Sequence, residues 1–404
     1  MRGVLIVRAW SRCLLLSLML TVGIATAVAA ADPPPIIVGL DADLSAGSAQ
    51  AGEAIRRGAQ IAIAEINARG GLLGGRRLEL QAKDHRGIPP RSTDNLIEFA
   101  ATDNLVAVLG GLHSPAIIQN HAVIHEHRLI MLVPWAAASA VVDHAFIPNY
   151  VFRISVRDQF VGPYLSSELL RQGHHRIGLL LERTGWGRGN ESAIREALGR
   201  KGLEPVAVQW INLGDTDLMP EILALEEAGA DALIMVANAP EGAAAVQALA
   251  KRPADRRLPV VAHWGITGGR FPELAGAALS SVDLRVLQTF SFIGAKSARS
   301  DEVLRRYRDM FGVDRPEGIP APNGTAQAYD LVHVLALAIG NAGTIERSEV
   351  RNALEQLKPY AGLIRNYRPP FTPERHEGLS SEDYQLTRFG ADGALRPVRN
   401  GPWR

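Results

Sequence analysis

The sequence predicts an α/β protein made of two similar lobes, each a parallel β-sheet flanked by helices. Residues 36–133 and 177–262 each alternate hydrophobic strands with helical segments, an order that produces parallel sheets covered on both faces. The chain has 404 residues, 47% of them hydrophobic, which suits two or three domains with substantial cores. We therefore expect two lobes of comparable size.

Residues 1–31 have the composition of a secretory signal peptide and are set apart from the fold. Three arginines make a basic start, Leu14–Ala25 is a short apolar run, and small residues up to Ala31 supply a cleavage site. An uncleaved membrane anchor is the alternative, which the short apolar run disfavours. The only cysteine, Cys13, precedes the apolar run, so lipid attachment there is not expected. The exported chain would have no disulfide and no cysteine metal site.

Charge composition argues against a nucleic-acid partner. Removing residues 1–31 lowers Lys+Arg from 43 to 40 against 42 Asp+Glu, because that segment contains three arginines and no acidic residue. A nearly neutral chain has no broad positive field to attract a phosphate backbone.

The first lobe begins with alternating strands and helices. Helix Ala54–Ala68 places Ile55, Ala59 and Ile63 at helical spacing and is ended by Gly70-Gly71. Short hydrophobic runs bounded by polar or small residues define the strands. The predicted elements are strand Ile36–Leu40, helix Ala54–Ala68, strand Leu78–Ala82, helix Thr93–Thr102, strand Val106–Leu109, helix Pro115–Glu126 and strand Ile130–Val133.

The second lobe repeats this alternation, and the remaining chain is too short to close a third sheet. Its elements are strand Ile177–Leu181, helix Asn190–Lys201, strand Val206–Ile211, helix Met219–Ala228, strand Ala232–Val236, helix Glu241–Lys251 and strand Val260–Ala262. The tail contains strand Val286–Phe292 and helices Ser300–Phe311, Asn323–Asn341 and Arg347–Leu357. We expect residues 32–154 and 286–360 to form lobe 1, and residues 155–285 and 361–404 to form lobe 2.

Candidate binding residues lie in the loops that follow the strands. Open α/β sheets bind ligands at the carboxyl edge of their strands, where backbone amides at helix starts can hold an acceptor group. Three of the six tryptophans occur in such loops, which favours an apolar or aromatic ligand, although core packing would also explain them. Ser114 could bind a ligand or simply cap a helix. The candidates from these loops are Ser45, Ser114, Trp135, Trp186, Trp264 and Gly265.

Other motifs give little support to alternative chemistries. The glycines of Gly185–Gly189 lack the Lys-Ser/Thr of a phosphate loop and the spacing of a dinucleotide fingerprint. His121 and His125 lie one helical turn apart, but no third helical ligand accompanies them, so we expect solvated or capping roles. No Gly-x-Ser-x-Gly elbow occurs. The sequence therefore predicts no metal, no cofactor and no catalytic site.

Several motifs together resemble a known family. The chain is similar, from residue 36 to about 360, to the periplasmic solute-binding proteins of ABC transporters, specifically the branched-chain amino-acid (Leu/Ile/Val) binding group. The matching pieces are Glu65-Ile66-Asn67-Ala68-x-Gly70-Gly71, Gly110-x-x-x-Ser114, Pro134-x-Ala136, Phe152-Arg153 with Asp158, Gly185-Trp186-Gly187, Gly214-Asp215-Thr216-Asp217 and Ala328-Tyr329-Asp330.

This resemblance implies a type I periplasmic-binding fold, in which two Rossmann-like lobes joined by three crossovers close on a solute and pass it to a membrane permease. It implies carboxylate binding by Ser114 and the loop Trp135–Ala137, which includes Ala136. It also places Asp158 near the hinge and pocket, and Trp186 where the family often has an aromatic residue, usually Tyr. A periplasmic, monomeric protein that is not an enzyme is implied.

Two departures from the family pattern bear on the ligand. Ala137 stands where a hydroxyl residue usually follows the Pro-x-Ala stretch, and His263–Thr267 lacks the second-lobe acid that pairs with an amino acid's ammonium. Because a buried ammonium without a carboxylate is costly, an aromatic or aliphatic carboxylate or an amide becomes comparable to an amino acid as the expected ligand. A ligand sensor for a membrane receptor and an exported hydrolase using Ser114 are the alternative functions.

Overall fold

The structure, a computed structural model, describes residues 33–398. The predicted signal peptide, its cleavage site and Cys13 lie outside the described residues.

The first five strands and their helices follow the predicted alternation. Their order is β1 (Ile36–Ala42), α1 (Ala49–Ala68), β2 (Leu78–Asp84), α2 (Pro89–Ala100), β3 (Leu105–Gly110), α3 (Ser114–Ile118), α4 (His121–Glu126), β4 (Ile130–Val133) and β5 (Val151–Arg153). The strands form one sheet in the order β2-β1-β3-β4-β5, and every neighbouring pair is parallel. All residues of β1, β3, β4 and β5 are buried, as expected of a sheet covered on both faces.

The middle of the chain repeats the same topology. Its elements are α5 (Asp158–Arg171), β6 (Ile177–Glu182), α6 (Gly185–Gly199), β7 (Ala207–Ile211), α7 (Met219–Glu227), β8 (Ala232–Val236), α8 (Ala239–Ala250), β9 (Val260–Ala262), α9 (Phe271–Ala275) and β10 (Leu284–Gln288). The second sheet has the order β7-β6-β8-β9-β10, again parallel throughout. Its strand order thus matches that of the first sheet, which confirms the predicted fold class.

The last part of the chain adds helices to the first lobe and two strands to the second sheet. It consists of α10 (Ala298–Phe311), α11 (Pro322–Ala342), α12 (Arg347–Glu355), β11 (Tyr360–Ala361), β12 (Asn366–Tyr367), β13 (Gln385–Phe389) and β14 (Leu395–Pro397). Helix α11 packs along α1 of the first lobe. β13 pairs antiparallel with β10, and β14 pairs with β13, so the second sheet has seven strands. β12 still bonds to α11, through Tyr367 and Asp330, so the chain crosses between the two lobes three times, after β5, after β10 and between β12 and β13.

Within residues 33–398, no single helix is long and apolar enough to cross a bilayer. α11 and α12 satisfy that test of length and composition only as a pair, across a bend of 109°.

Among the element predictions that differ from the structure, one helix is broken and one strand is shorter than predicted. Helix Pro115–Glu126 is broken into α3 and α4, because the Asn120 side chain donates to the carbonyl of Ala116 at 2.7 Å and competes with the helical backbone pattern. The predicted strand Val286–Phe292 ends at Gln288, because the amides of Thr289 and Phe290 donate to Asn323 Oδ1 instead of to a neighbouring strand. Because β10 spans Leu284–Gln288, the predicted lobe boundary at residue 285 falls within this strand of the second sheet.

Helices also begin earlier than predicted where a polar side chain or a glycine shapes the first turn. The Asp43 carboxylate accepts the amides of Ala46 and Ser48, at 2.7 and 2.9 Å, and so forms the turn that leads into α1. At α6, Thr184 is the N-cap, and Gly187 lies so close to the carbonyl of Glu182 that a Cβ would stand 1.8 Å from it. The glycine-rich segment 185–189 is thus the start of a helix, and Gly187 is needed for its packing on β6.

Candidate functional site

A cavity of about 270 Å³ lies where the carboxyl ends of strands from both sheets meet. Its size is near the lower end of the range for small-molecule sites, about 300–1,000 Å³. The lining residues follow β2, β3 and β4 of the first sheet and β6, β7, β8 and β9 of the second. They are Gly87, Pro89, Leu112, His113, Ser114, Pro115, Trp135, Ala137, Glu182, Thr184, Trp186, Leu213, Asn238, Trp264 and Gly265.

Three tryptophans dominate the apolar part of the wall. Trp135 and Trp264 are both fully buried and come from different sheets, with their ring centroids 5.3 Å apart and tilted by 42°. Trp186 reaches across the loop after β9, and a Cβ on Gly265 would lie 2.6 Å from its ring and 2.6 Å from the carbonyl of Ala237. Gly265 therefore has to be glycine for Trp186 to occupy this position. The tryptophans form a rigid wall suited to a flat or branched apolar group.

Hydrogen-bond donors on the wall remain available to a ligand. The Ser114 oxygen accepts from the amide of Ala138 at 3.2 Å, which leaves the hydroxyl proton free to be donated. The indole N–H groups of Trp135 and Trp186 are buried without a hydrogen-bond partner within residues 33–398. Burial also lowers the pKa of His113, which favours its neutral form. None of the described residues that line the cavity is Lys or Arg.

Glu182, the last residue of β6, is a carboxylic acid on this wall. It is buried, and its Oε2 accepts from Asn238 Nδ2 at 2.7 Å. Burial, followed by the nearby charge of Glu241, raises its pKa from 4.5 to about 7, although hydrogen bonds from Thr184 and Asn238 act in the opposite direction. Sequence analysis missed Glu182, because it was the polar residue that ended the predicted strand Ile177–Leu181. Its position at a strand end, the criterion used for the other candidates, is the signal that could have identified it.

The structure brings six of the predicted residues together and leaves three off the cavity wall. Ser114, Trp135, Ala137, Trp186, Trp264 and Gly265 line the cavity. Ser45 is exposed, and its hydroxyl donates to Asp84. Ala136 is fully buried, with its carbonyl accepting from Arg153 at 3.2 Å. Asp158 is buried at the start of α5, off the cavity wall, and bonds His263 Nε2 at 3.0 Å. Its backbone amide donates to the carbonyl of Ala137, which lines the cavity, at 3.0 Å.

The histidine pair singled out in the sequence has structural contacts. His125 bonds the carbonyl of His121 at 2.7 Å, and His121 bonds the carbonyl of Val141 at 3.2 Å. Burial lowers the pKa of both imidazoles. Across residues 33–398, no group of three or more His, Cys, Asp or Glu side chains is placed to hold a metal ion.

Two doubly wound lobes with a ligand-sized cavity between their strand ends define a two-lobed solute-binding protein. The model of the family described as "Periplasmic binding protein" matches residues 35–394. The chain belongs to this family.

Individual relatives agree with that assignment. The chain is 24% identical over 333 residues to "Leu/Ile/Val-binding protein homolog 2" of Brucella abortus, covering 81% of this chain and 84% of the relative. The Streptococcus pneumoniae substrate-binding protein LivJ, solved with isoleucine, matches with a TM-score of 0.76 and 21% identity, covering 90% of this chain and 99% of that one. A solute-binding protein of R. palustris, solved with benzoate, matches with a TM-score of 0.73 and 17% identity over 90% and 95% of the two chains.

Proposed function

We propose that this protein captures a small, largely apolar solute in the periplasm and delivers it to an ABC importer in the inner membrane. The observation that carries the proposal is the cavity between the two sheets, walled by Trp135, Trp186 and Trp264. Ligands of this kind are captured by hinge closure of two lobes, and the sheets here are joined by three crossovers that could serve as the hinge. Residues 1–31 would direct export and be cleaved.

The ligand contacts follow from the cavity wall. Ser114 would donate its hydroxyl proton to a carboxylate or carbonyl of the solute, because its oxygen already accepts from Ala138. The three indoles and Ala137 would enclose the apolar part. Relatives that carry isoleucine or benzoate show that this fold accommodates both an aliphatic amino acid and an aromatic carboxylate. The six cavity-lining residues predicted from the sequence are therefore proposed as ligand contacts, in a protein that acts as a monomer.

Thermal shift and intrinsic fluorescence test the proposal. We would screen the mature protein against aliphatic and aromatic amino acids, aromatic carboxylates and amides, with sugars and nucleotides for comparison. A ligand at one hundred times its Kd stabilises the folded state by about 2.7 kcal/mol, so a cognate solute raises the melting temperature clearly. A response to sugars or nucleotides alone would contradict an apolar site.

Tryptophan variants test whether the fluorescence change on ligand binding arises at the cavity. Trp264→Phe should diminish the fluorescence change on binding, because this indole lies on the cavity wall. Trp210→Phe is the matched control, since Trp210 lies on β7 and is covered by the Arg183 guanidinium 5.9 Å from its ring. Equal effects of the two substitutions would place the binding site elsewhere.

A hydrolase that uses Ser114 is the alternative from another functional class. The hydrogen bond that Ser114 makes is with the backbone amide of Ala138, and a nucleophilic serine needs a general base instead. We expect Ser114→Ala to weaken ligand stabilisation, while the wild-type protein leaves the bound solute chemically unchanged. Turnover that disappears in Ser114→Ala would support the hydrolase.

The other alternative function is a ligand sensor, which would bind a membrane receptor instead of an ABC permease. Stimulation of the ATPase of a permease complex by the loaded protein would support import, and signalling through a receptor without transport would support the sensor.

A further inference from the structure

The loop that carries Trp135 is held by the first crossover between the lobes. Residues 135–138, here called the wall loop, follow β4 and contribute Trp135 and Ala137 to the cavity wall. The first crossover runs from Arg153, the last residue of β5, to Asp158, the first residue of α5. Each of the four carbonyl groups of the wall loop accepts a hydrogen bond from this segment. These bonds join a cavity-lining loop of one lobe to a connection between both lobes.

Two side chains of the crossover bind the wall loop. The Ser155 hydroxyl donates to the carbonyl of Trp135 at 2.6 Å. Arg153 Nη1 donates to the carbonyls of Ala136 and Ala138, at 3.2 and 2.8 Å. Both Ser155 and Arg153 are buried, and both lie off the cavity wall. Their bonds can therefore affect a solute only through the wall loop.

Asp158 connects the crossover to the walls of both lobes. Its backbone amide, the first of α5, donates to the carbonyl of Ala137 at 3.0 Å. Its carboxylate bonds His263 Nε2 at 3.0 Å, and the His263 ring packs edge-on against Trp186, with ring centroids 4.9 Å apart. Helix α5 also packs along α6, in which Trp186 is the second residue. The wall loop of the first lobe is thus bonded directly to the first turn of a helix in the second.

The shape of the cavity depends on where the wall loop lies. Trp135 and Trp264 come from different lobes, and their ring centroids are 5.3 Å apart, so a shift of the wall loop changes the space between the indoles. A site that already has its binding conformation binds more tightly than one that the ligand has to order. When only a fraction of the molecules has that conformation, the apparent Kd rises in inverse proportion to the fraction.

We propose that the first crossover positions the wall loop for solute binding, with Ser155 and Arg153 as positioning residues that do not touch the solute. This inference rests on the proposed capture of a solute and deepens it, because the segment that joins the lobes also sets the geometry of one wall. Loss of a positioning bond slows association, since fewer free molecules have the wall loop in place. Loss of a direct contact, as in Ser114→Ala, speeds dissociation instead.

Ser155→Ala tests the inference, and Ser166→Ala is its matched control. Ser166, on α5, is also a buried serine, and its hydroxyl donates to the carbonyl of Gly162 within the same helix at 2.8 Å. Stopped-flow tryptophan fluorescence would use isoleucine, phenylalanine and benzoate as probes. Ser155→Ala should slow association at least about fivefold and leave dissociation nearly unchanged, because one hydrogen bond of typical strength corresponds to about that factor. Ser166→Ala should change neither rate.

Hydrogen exchange of the ligand-free proteins gives a second readout, which needs no solute. The amides of Ala138 and Asp158 are hydrogen-bonded where the wall loop meets the crossover and the Ser114 loop. Ser155→Ala should speed their exchange at least about fivefold, because the wall loop opens more often without the bond to the Trp135 carbonyl. Both variants would first be checked for a cooperative melting transition.

The possible failures are distinguishable. An unchanged association rate in Ser155→Ala, or equal slowing in Ser166→Ala, would overturn this inference and leave the proposed capture of a solute intact. A loss confined to the dissociation rate would also overturn it, because that is the result of a lost direct contact. If none of the three probes bound to the wild type, the proposed function would be in question. Exchange at Ala138 and Asp158 would still decide whether the crossover holds the wall loop.

Discussion

Replacing Glu182 by Gln should stabilise the protein at alkaline pH. Burial and the neighbouring Glu241 raise the pKa of this carboxyl from 4.5 to about 7, so the folded state favours the protonated form. The difference between these values corresponds, at about 1.4 kcal/mol per pKa unit, to about 3 kcal/mol. Because the folded pKa is the higher one, this stabilisation is complete below about pH 4.5 and is lost as the pH rises through about 7.

Glutamine cannot ionise, and its side-chain oxygen can still accept from Asn238. We therefore expect Glu182→Gln to match the wild type in unfolding free energy near pH 4.5 and to exceed it by up to about 3 kcal/mol near pH 8. Urea unfolding of the ligand-free proteins at several pH values measures this difference. Glu196→Gln, at an exposed position on α6, controls for the loss of one surface charge. A difference that is the same at both ends of the pH range would refute the reasoning.

Three further changes test other parts of the structure. A Cβ on Gly269 would stand 2.3 Å from the carbonyl of Gly47 in the loop after β1, so Gly269→Ala should force these two loops apart and weaken solute binding at least about tenfold in fluorescence titrations. Unchanged affinity would show that binding does not need the close approach of these loops. Glu377→Ala should cost about 3–5 kcal/mol in urea unfolding because it leaves Arg153 buried and unpaired. A loss of only about 0.5 kcal/mol, typical of an exposed pair, would argue against this. His85, whose pKa burial lowers to about 4, contributes stability above pH 6.5 that is lost as the pH falls towards 4. His85→Asn should remove that loss of stability, measured as the free energy of unfolding between pH 6.5 and 4. The same pH dependence in the variant and the wild type would contradict this.

The fold could be predicted because its strands are short, continuous hydrophobic runs. Ile130–Val133, Ala232–Val236 and Val260–Ala262 have the predicted bounds, since each is a short, fully buried hydrophobic run. Helix starts were harder to predict. α1 and α6 begin several residues before their predicted starts, because Asp43 and Thr184 accept hydrogen bonds from backbone amides in the turns there. The spacing of hydrophobic residues gives no sign of these bonds.

The candidate site could be predicted only as far as its strand-end loops. Ser114 and the three tryptophans, which that rule selected, lie on the cavity wall, and their contact with a ligand stays a prediction. It could not show that Glu182 meets Asn238, because 56 residues separate them and burial determines the charge state of the carboxyl. It also could not show that Asp158 bonds His263, which lies 105 residues further along the chain. Such pairings arise from the sheet topology, which the order of elements alone does not supply.

The three crossovers have a consequence for biosynthesis. β13 and β14 complete the second sheet from residues 385–397, so the lobe that starts at α5 stays unfinished until these residues have been made. The first lobe likewise waits for α11 to cover α1. A single cut in the chain would therefore leave at least one lobe without a segment that it needs. Neither lobe can reach its final structure before the segments that follow β10 have been made.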